Sequence, residues 1–106
     1  MTTFSVIIPT YNQANLLDRC LKSVTQQTFK NYEVIIIDNY STDNTSKIIK
    51  KFGKKIKYFK FRNRGVIAKS RNLGIKKSKG KWICFLDSDD TWMPHKLERL
   101  FMVQKQ

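Results

Sequence analysis

Three carboxylates directly follow an apolar run near the end of the chain. Residues 82–86 read Trp-Ile-Cys-Phe-Leu, and Asp87, Asp89 and Asp90 occupy three of the next four positions. A short continuous apolar run of this kind predicts a strand buried on both faces of a parallel sheet. In open parallel sheets, the ligand crevice lies at the carboxyl ends of the strands. The run therefore predicts an α/β fold with this acidic cluster in its binding site.

The acidic cluster is unusual because the chain as a whole is strongly basic. The 106 residues include 21 Lys and Arg against 8 Asp and Glu, which gives a formal net charge of +13. Clustered acids in such a chain predict a cationic ligand. The positive excess predicts either a polyanionic neighbour (nucleic acid, nucleotide phosphates or an anionic membrane surface) or simply a lysine-rich solvated surface. Composition does not decide between these readings.

Length, apolar content and cysteines narrow the class of protein further. The chain is near the common size of one domain, and no apolar run approaches the roughly 20 residues of a membrane helix. The N-terminus lacks the pattern of a secretory signal, so we expect a cytoplasmic protein. Cys20 and Cys84 lie in apolar settings without a second ligand at metal spacing. They predict buried, reduced thiols, with a disulfide between them left open.

The hydrophobic pattern predicts strands that alternate with helices. The predicted strands are 4–9, 32–38, 56–61 and 82–86, and the predicted helices are 13–25, 43–52, 66–77 and one after Pro94. This order, βαβαβαβα, predicts a parallel sheet with right-handed crossovers and helices on both faces. In the third predicted strand, apolar and polar residues alternate imperfectly, which predicts a position nearer a sheet edge. Asn12 is predicted to cap the first helix, and Gly74 to permit close helix packing.

Three polar loops should meet at the carboxyl edge of this sheet, at residues 9–12, 38–43 and 87–90. Asp87 and Asp89 are two positions apart, so an extended backbone would point both side chains the same way. Carboxylate oxygens suit Mg²⁺ or Mn²⁺, which often hold a substrate diphosphate as well. The alternative is that these acids only cap the next turn.

Other residues near this edge offer contacts to a nucleotide. Asp38 could accept hydrogen bonds from a base or ribose, or only stabilise its own loop. Thr10 and Tyr11 could bond to and stack on a base. Arg71 could pair with a phosphate, but alone it reads as one surface cation among several. The chain has no Walker sequence and no Gly-x-Gly-x-x-Gly, which argues against an ATPase or a dinucleotide-dependent dehydrogenase.

Four segments in this order resemble family 2 glycosyltransferases of the GT-A fold. They are SVIIPTYN at 5–12, EVIIIDNYSTD at 33–43, AKSRNLGI at 68–75 and FLDSDD at 85–90. The resemblance implies a Rossmann-like nucleotide-sugar-binding domain. It also implies inverting transfer of a sugar from a nucleotide donor, usually UDP-linked, with Mn²⁺ or Mg²⁺.

The resemblance also assigns roles to individual residues. Those implied to contact the nucleotide are Pro9, Thr10, Tyr11, Asp38, Arg71 and Asp87. Among them, Asp38 matches the acid that contacts uracil, and Asp87 the one near the ribose. Asp89 is implied as the metal ligand. Asn39 stands where the family often has a second Asp.

The resemblance implies a protein longer than this chain. Inverting transfer needs an Asp or Glu base, and we expect it beyond residue 106, so no catalytic residue is assigned here. Residues 1–106 are expected to be a single donor-binding domain, truncated relative to family members. The sugar and the acceptor (polysaccharide, glycan or lipid) stay open. A non-catalytic, self-associating homo-oligomeric module is an alternative, and a nucleic-acid binder is less favoured. Charge and resemblance together suggest attachment to the inner face of a membrane.

Overall fold

A four-stranded parallel sheet forms the centre of the molecule. The computed structural model describes residues 1–105. Its strands are β1 (Phe4–Thr10), β2 (Tyr32–Asp38), β3 (Ile56–Lys60) and β4 (Trp82–Phe85). Its helices are α1 (Ala14–Thr25), α2 (Thr45–Lys50), α3 (Ile67–Lys77) and α4 (Lys96–Gln104). The sheet order is β3-β2-β1-β4, so the predicted alternation and the edge position of β3 are confirmed.

The two central strands are buried on both faces, as their continuous apolar runs predict. Every residue of β1 is buried, and so are six of the seven residues of β2. Val6 and Ile8 pack in one core cluster with Leu17 and Leu21 of α1. Because successive strand residues point to opposite faces, Ile7 lies on the other side of the sheet, under α3. Helices therefore cover both faces of the sheet.

Helix α3 approaches the sheet closely at Gly74. A Cβ atom at this position would collide with the side chain of Ile7 in β1. Ile7 is fully buried, so its side chain could not move away into solvent. The close packing that the sequence predicted here is confirmed.

Strand β4 differs from its prediction, because it is not buried on both faces. It pairs with β1 on one side only and lies at an edge of the sheet among residues 1–105. Three of its four side chains are exposed, with Phe85 at 48%. The apolar run predicts the strand correctly, but the described residues supply neither a second neighbouring strand nor full cover. Both thiols are free, as expected, but only Cys20 is buried, and Cys84 is half-buried.

The ends of helices α1 and α2 are joined by one acid at the carboxyl edge. Asp43 Oδ2 accepts from the Ala14 amide at 3.0 Å, and Asp43 Oδ1 accepts from the Thr45 amide at 3.1 Å. The predicted cap Asn12 instead has φ 48° and accepts from the Thr42 amide at 2.7 Å. The prediction of Asn12 as cap is therefore wrong, since its side chain links two loops. Within residues 1–105, no helix has both the length and the apolar content needed to cross a bilayer.

A buried carboxylate organises the opposite edge of the sheet, where the strands begin. Glu33 Oε2 accepts from Ser5 Oγ at 2.5 Å and from the Lys79 amide at 2.6 Å, and Lys57 Nζ lies 2.8 Å from Oε1. Burial alone would raise the pKa of Glu33. Lys57, Ser5 and the Lys79 amide outweigh that cost and hold this pKa below its usual value. The ionised form of Glu33 therefore stabilises the fold.

Substitution Gly74→Ala should lower the free energy of unfolding by about 1–3 kcal/mol, because the added methyl group overpacks the contact with Ile7. Urea denaturation measures this change. Lys76→Ala, at an exposed position of the same helix, should stay within about 0.5 kcal/mol of the original chain. Because alanine is the better helix former, a stabilised Gly74→Ala variant would show that α3 does not pack this closely.

Substitution Glu33→Gln should lower the free energy of unfolding by about 1–3 kcal/mol at pH 7, because it weakens a buried charged network. The folded-state pKa is depressed, so the ionised carboxyl stabilises the fold above its ordinary pKa of about 4.3. This contribution is lost as the pH falls through the folded-state pKa. Urea titrations from pH 7 to acid should show the difference shrinking. A constant difference would contradict the role of ionisation.

Candidate functional site

A cavity of about 310 Å³ opens at the carboxyl edge of the sheet, beside the ends of β1 and β4. It is lined by Pro9, Thr10, Tyr11, Gln13, Asn63, Ile67, Arg71, Asp87, Ser88 and Asp89. Six of the seven residues implied to bind nucleotide or metal are thus brought together, and Asp38 is the seventh. The volume falls within the range of small-molecule sites.

The loop after β1 offers the cavity one hydroxyl and one ring. Thr10 is 6% exposed, and its Oγ1 has no hydrogen-bond partner among the described residues. A buried hydroxyl without a partner is costly, so a ligand that bonds to it would be favoured. Tyr11 follows with 54% of its surface exposed at the cavity mouth. Its ring can cover a flat ligand group.

The acids after β4 form a compact cluster. Each of Asp87, Asp89 and Asp90 can present a carboxylate oxygen within 4.8 Å of the others, and all three residues are exposed. Arg71 Nη2 lies 3.1 Å from Asp87 Oδ1. Within residues 1–105, Asp89 and Asp90 take part in no ion pair. Asp89 therefore offers the cavity a negative charge that no protein cation neutralises.

A hydrogen bond that the sequence did not predict holds this acidic loop. Ser88, between the two motif acids, is 2% exposed, and its hydroxyl donates to Gln13 Oε1. Gln13 precedes α1, so this bond ties the acidic loop to the loop after β1. Both residues line the cavity. The sequence around Ser88 does not indicate which residue it bonds to. Neither Ser88 nor Gln13 was therefore predicted as part of the site.

Arg71 lies on the wall of the cavity and is not one exposed cation among several. Besides its contact with Asp87, its guanidinium lies 6.0 Å from the centre of the Phe85 ring. Its Nε is buried without a hydrogen-bond partner among the described residues. The side chain therefore keeps a donor for a ligand. This placement favours a contact with the nucleotide, as the family resemblance implies, over the alternative that Arg71 is only a surface cation.

Asp38 lies at the end of β2 but does not line the cavity. Its Oδ1 accepts from the amide of Ser41 at 2.9 Å and from its hydroxyl at 2.6 Å. Its Oδ2 accepts from Tyr58 Oη at 2.5 Å. Burial, followed by the contact with Asp38, raises the pKa of Tyr58, so this phenol stays protonated and donates. Asp38 is 1% exposed, and its contact with a base stays a prediction.

Asn63 is a third cavity residue that the sequence did not predict. It is 5% exposed and lines the cavity. Its amide donates to Asn39 Oδ1 at 3.0 Å, and its Nδ2 donates to Ser70 Oγ at 3.0 Å. It thus connects the loop after β2 with helix α3. These partners lie far apart in sequence, so only the fold reveals the connection.

Cys20 lies beneath the acidic loop, with its Sγ 3.7 Å from the Asp87 carbonyl oxygen. Burial, with smaller contributions from Asp90, Asp89 and Asp87, raises the pKa of this thiol to about 12. A thiol with such a pKa stays protonated at neutral pH and is a poor nucleophile. Cys20 therefore supports the loop by packing.

Comparison with known families identifies the family of this chain. The model of glycosyl transferase family 2 matches residues 5–106, which is nearly the whole chain. The chain belongs to glycosyltransferase family 2. The predicted family is thereby confirmed.

Relatives of this glycosyltransferase chain are considerably longer than it is. An uncharacterized glycosyltransferase of Rickettsia bellii is 52% identical over 89% of this chain and 14% of the relative. The poly(ribitol-phosphate) beta-N-acetylglucosaminyltransferase TarP of Staphylococcus aureus is 40% identical over 100% of this chain and 34% of TarP. The chain thus spans between about a seventh and a third of the length of these relatives.

Solved structures of related enzymes share the fold. Residues 1–349 of S. aureus TarS in complex with UDP-GlcNAc match with a TM-score of 0.92 and 33% identity, over 98% of this chain and 31% of that one. The mannosyltransferase PcManGT from Pyrobaculum calidifontis, in complex with GDP-Man and Mn²⁺, matches with a TM-score of 0.76 and 25% identity, over 84% of this chain and 28% of that one. The predicted GT-A fold is confirmed.

The acidic cluster of this family 2 chain has the donor chemistry that a hard divalent cation requires. Mg²⁺ and Mn²⁺ prefer carboxylate oxygens and usually keep water or phosphate oxygens in addition. The three exposed carboxylates provide such oxygens next to an open cavity. The residues present therefore fit a bound metal ion.

Substitution Ser88→Ala should lower the free energy of unfolding by about 1–2 kcal/mol, because it leaves Gln13 Oε1 without its buried donor. Thermal or urea denaturation measures the change. Thr91→Ala is a matched control, because Thr91 is exposed in the same loop, and its stability should change by less than about 0.5 kcal/mol. Equal effects of the two substitutions would contradict the proposed tie between the loops.

Proposed function

We propose that the chain is the donor-binding portion of an inverting glycosyltransferase and binds a UDP-sugar with Mn²⁺ or Mg²⁺. The observation that carries this proposal is the convergence, in one cavity, of the unpaired acid Asp89, the Arg71–Asp87 ion pair and an exposed tyrosine ring. The TarS complex with UDP-GlcNAc supports a uridine donor, since TarS matches this chain better than the GDP-Man enzyme does.

The loop after β1 recognises the nucleoside in this proposal. Tyr11 covers one face of the base, and the buried Thr10 hydroxyl gains the hydrogen-bond partner that it lacks in the protein. Pro9 shapes the cavity wall beside them. Asp38 contacts the base from the end of β2, using the second lone pair of Oδ2, since Tyr58 occupies one and Ser41 bonds to Oδ1.

The acidic loop and Arg71 bind the ribose and the diphosphate. Asp89 coordinates the metal ion, and Asp87 lies on the ribose side, where Arg71 holds its carboxylate. Asp89 would hold the metal ion there, and the positive charge of that ion would stabilise the departing diphosphate. The free Nε of Arg71 offers a further donor to phosphate oxygens. Asp90 borders the cluster and adds negative charge.

The acceptor side of the reaction is a separate part of the proposal. Inverting transfer requires a base that removes the proton from the acceptor hydroxyl, and we place that base outside residues 1–106. These residues therefore bind the donor better than they transfer its sugar. A polysaccharide, a glycan or a lipid would serve as the acceptor.

The exposed edge of β4 favours a second candidate function, an assembly module that pairs with its own copy. Trp82, Ile83 and Phe85 are between 36% and 48% exposed along this edge. Unpaired strand edges with apolar side chains promote association between chains. Light scattering distinguishes the candidates, because a monomer at high concentration would contradict the assembly module.

Isothermal titration calorimetry of the chain with UDP should show binding that depends on Mn²⁺. Substitution Asp89→Asn should weaken the metal-dependent binding at least about tenfold, because it removes a charged ligand. Glu98→Gln is the control, since Glu98 is an exposed acid on α4 and pairs with His95. Its binding should equal that of the original chain.

The outcomes separate the parts of this proposal. No metal-dependent UDP binding by the original chain would refute the function while leaving the fold intact. Equal binding by the Asp89→Asn variant would refute the metal role of Asp89 alone. Preference for GDP over UDP in the same titration would refute the choice of base.

A further inference from the structure

Positive charge accumulates on the side of the sheet opposite the cavity. Between residues 44 and 86 the chain contains lysine and arginine but no aspartate or glutamate. This stretch includes the turns that lead into β3 and β4. Because the strands are parallel, those turns lie at the edge where all four strands begin. That edge faces away from the cavity at the carboxyl ends.

Five exposed lysines lie at this edge, and we call them the lysine rim. One precedes β2, two precede β3 and two precede β4. The lysine rim consists of Lys30, Lys54, Lys55, Lys79 and Lys81. Main-chain hydrogen bonds join its segments. The Lys81 amide donates to the Thr2 carbonyl at 3.1 Å, and the Phe4 amide donates to the Asn31 carbonyl at 3.3 Å. The strands therefore fix these lysines along one edge.

The charge of the lysine rim is not balanced by acids. Within residues 1–105, none of its members takes part in an ion pair with Asp or Glu. Two acids lie near it, and both have other partners: Glu33 is 6% exposed and paired with Lys57, and Glu98 pairs with His95. Asp38, Asp43 and the acidic cluster all lie at or beyond the carboxyl ends of the strands. The acids that follow the strands thus lie at the cavity edge, whereas the loops of the lysine rim contain no acid.

The composition of the lysine rim favours a diffuse anionic surface as its partner. It contains no arginine, and a lysine ammonium is a compact, hydrated charge without the fork that holds individual phosphates. Exposed apolar side chains lie among the lysines. Trp82 is 36% exposed with Lys81 Nζ 5.7 Å from its ring, and Met1 is fully exposed. Lysine together with tryptophan suits the headgroup region of a bilayer.

We propose that the lysine rim binds the surface of an anionic phospholipid membrane. In this arrangement the cavity, on the opposite edge, stays open to a nucleotide from solution. The proposal goes beyond donor binding and does not depend on it. Single-stranded nucleic acid is the competing occupant, but such sites commonly combine several stacking aromatics with arginine, and the rim has one tryptophan and no arginine.

Vesicle co-sedimentation of the full chain tests this proposal. Vesicles of equal parts phosphatidylcholine and phosphatidylglycerol should bind the chain, whereas vesicles of phosphatidylcholine alone should not. Binding should weaken steeply with added salt, since the attraction is electrostatic. Combined substitution of Lys54, Lys55, Lys79 and Lys81 by Gln should lower the partition coefficient on the order of several hundredfold.

A matched variant controls for total charge. Combined substitution of Lys47, Lys69, Lys96 and Arg99 by Gln removes the same charge from exposed positions outside the rim. Its partition coefficient should fall less than about tenfold. Circular dichroism and thermal melts establish that both variants fold. Should the rim variant fail to fold, single substitutions Lys54→Gln and Lys81→Gln, each lowering partition about fivefold, replace it.

Three results would overturn the proposal. The first is no binding of the original chain to the anionic vesicles at low salt. The second is an equal loss in the rim and control variants, which would mean that only net charge matters. The third is rim-dependent binding of a single-stranded RNA oligonucleotide that anionic vesicles cannot displace. UDP and Mn²⁺ should not change vesicle binding, so failure here and failure of donor binding are distinguishable.

Discussion

The burial of strand β1 is the constraint on which the rest of the structure depends. Its seven residues are all buried, between β2 on one side and β4 on the other. Its register sets Thr10 level with Asp38, and the Leu86 amide donates to the Ile7 carbonyl at 3.0 Å. The loops after β1 and β2 therefore begin level with each other, and the loop after β4 begins nearby, beside Ile8. The cavity exists because parallel pairing with one strand fixes where each loop begins.

Sequence alone predicted the elements of the sheet more reliably than their surroundings. Continuous apolar runs identify β1 and β2 because burial on both faces leaves no polar position. The same rule identified β4 as a strand but wrongly predicted that it is buried on both faces. An apolar run shows which residues a strand contains, but it does not show which elements cover them. Most of the cavity followed from strand order. The bond between Ser88 and Gln13, 75 positions apart, could not, because no local pattern encodes it.

The two edges of the sheet use charge in opposite ways. Near the amino ends of the strands, Glu33 is buried. It forms an ion pair with Lys57 and accepts hydrogen bonds from Ser5 and a backbone amide, so its charge contributes to stability. At the carboxyl ends, the acids after β4 are exposed, and two of them lack a protein cation within residues 1–105. Placing acids where the fold does not neutralise them carries no structural benefit. Such acids are instead available to a ligand.

The charges of the acidic cluster can be counted against its neighbours. Asp87, Asp89 and Asp90 carry three negative charges within a few ångströms, and Arg71 offsets one of them. Two negative charges remain, which equals the charge of one divalent cation. Repulsion between exposed carboxylates about 4 Å apart amounts to about 1 kcal/mol in water, too little to unfold the loop. The Ser88 hydroxyl holds that loop in place, so the three carboxylates stay close together in the folded protein.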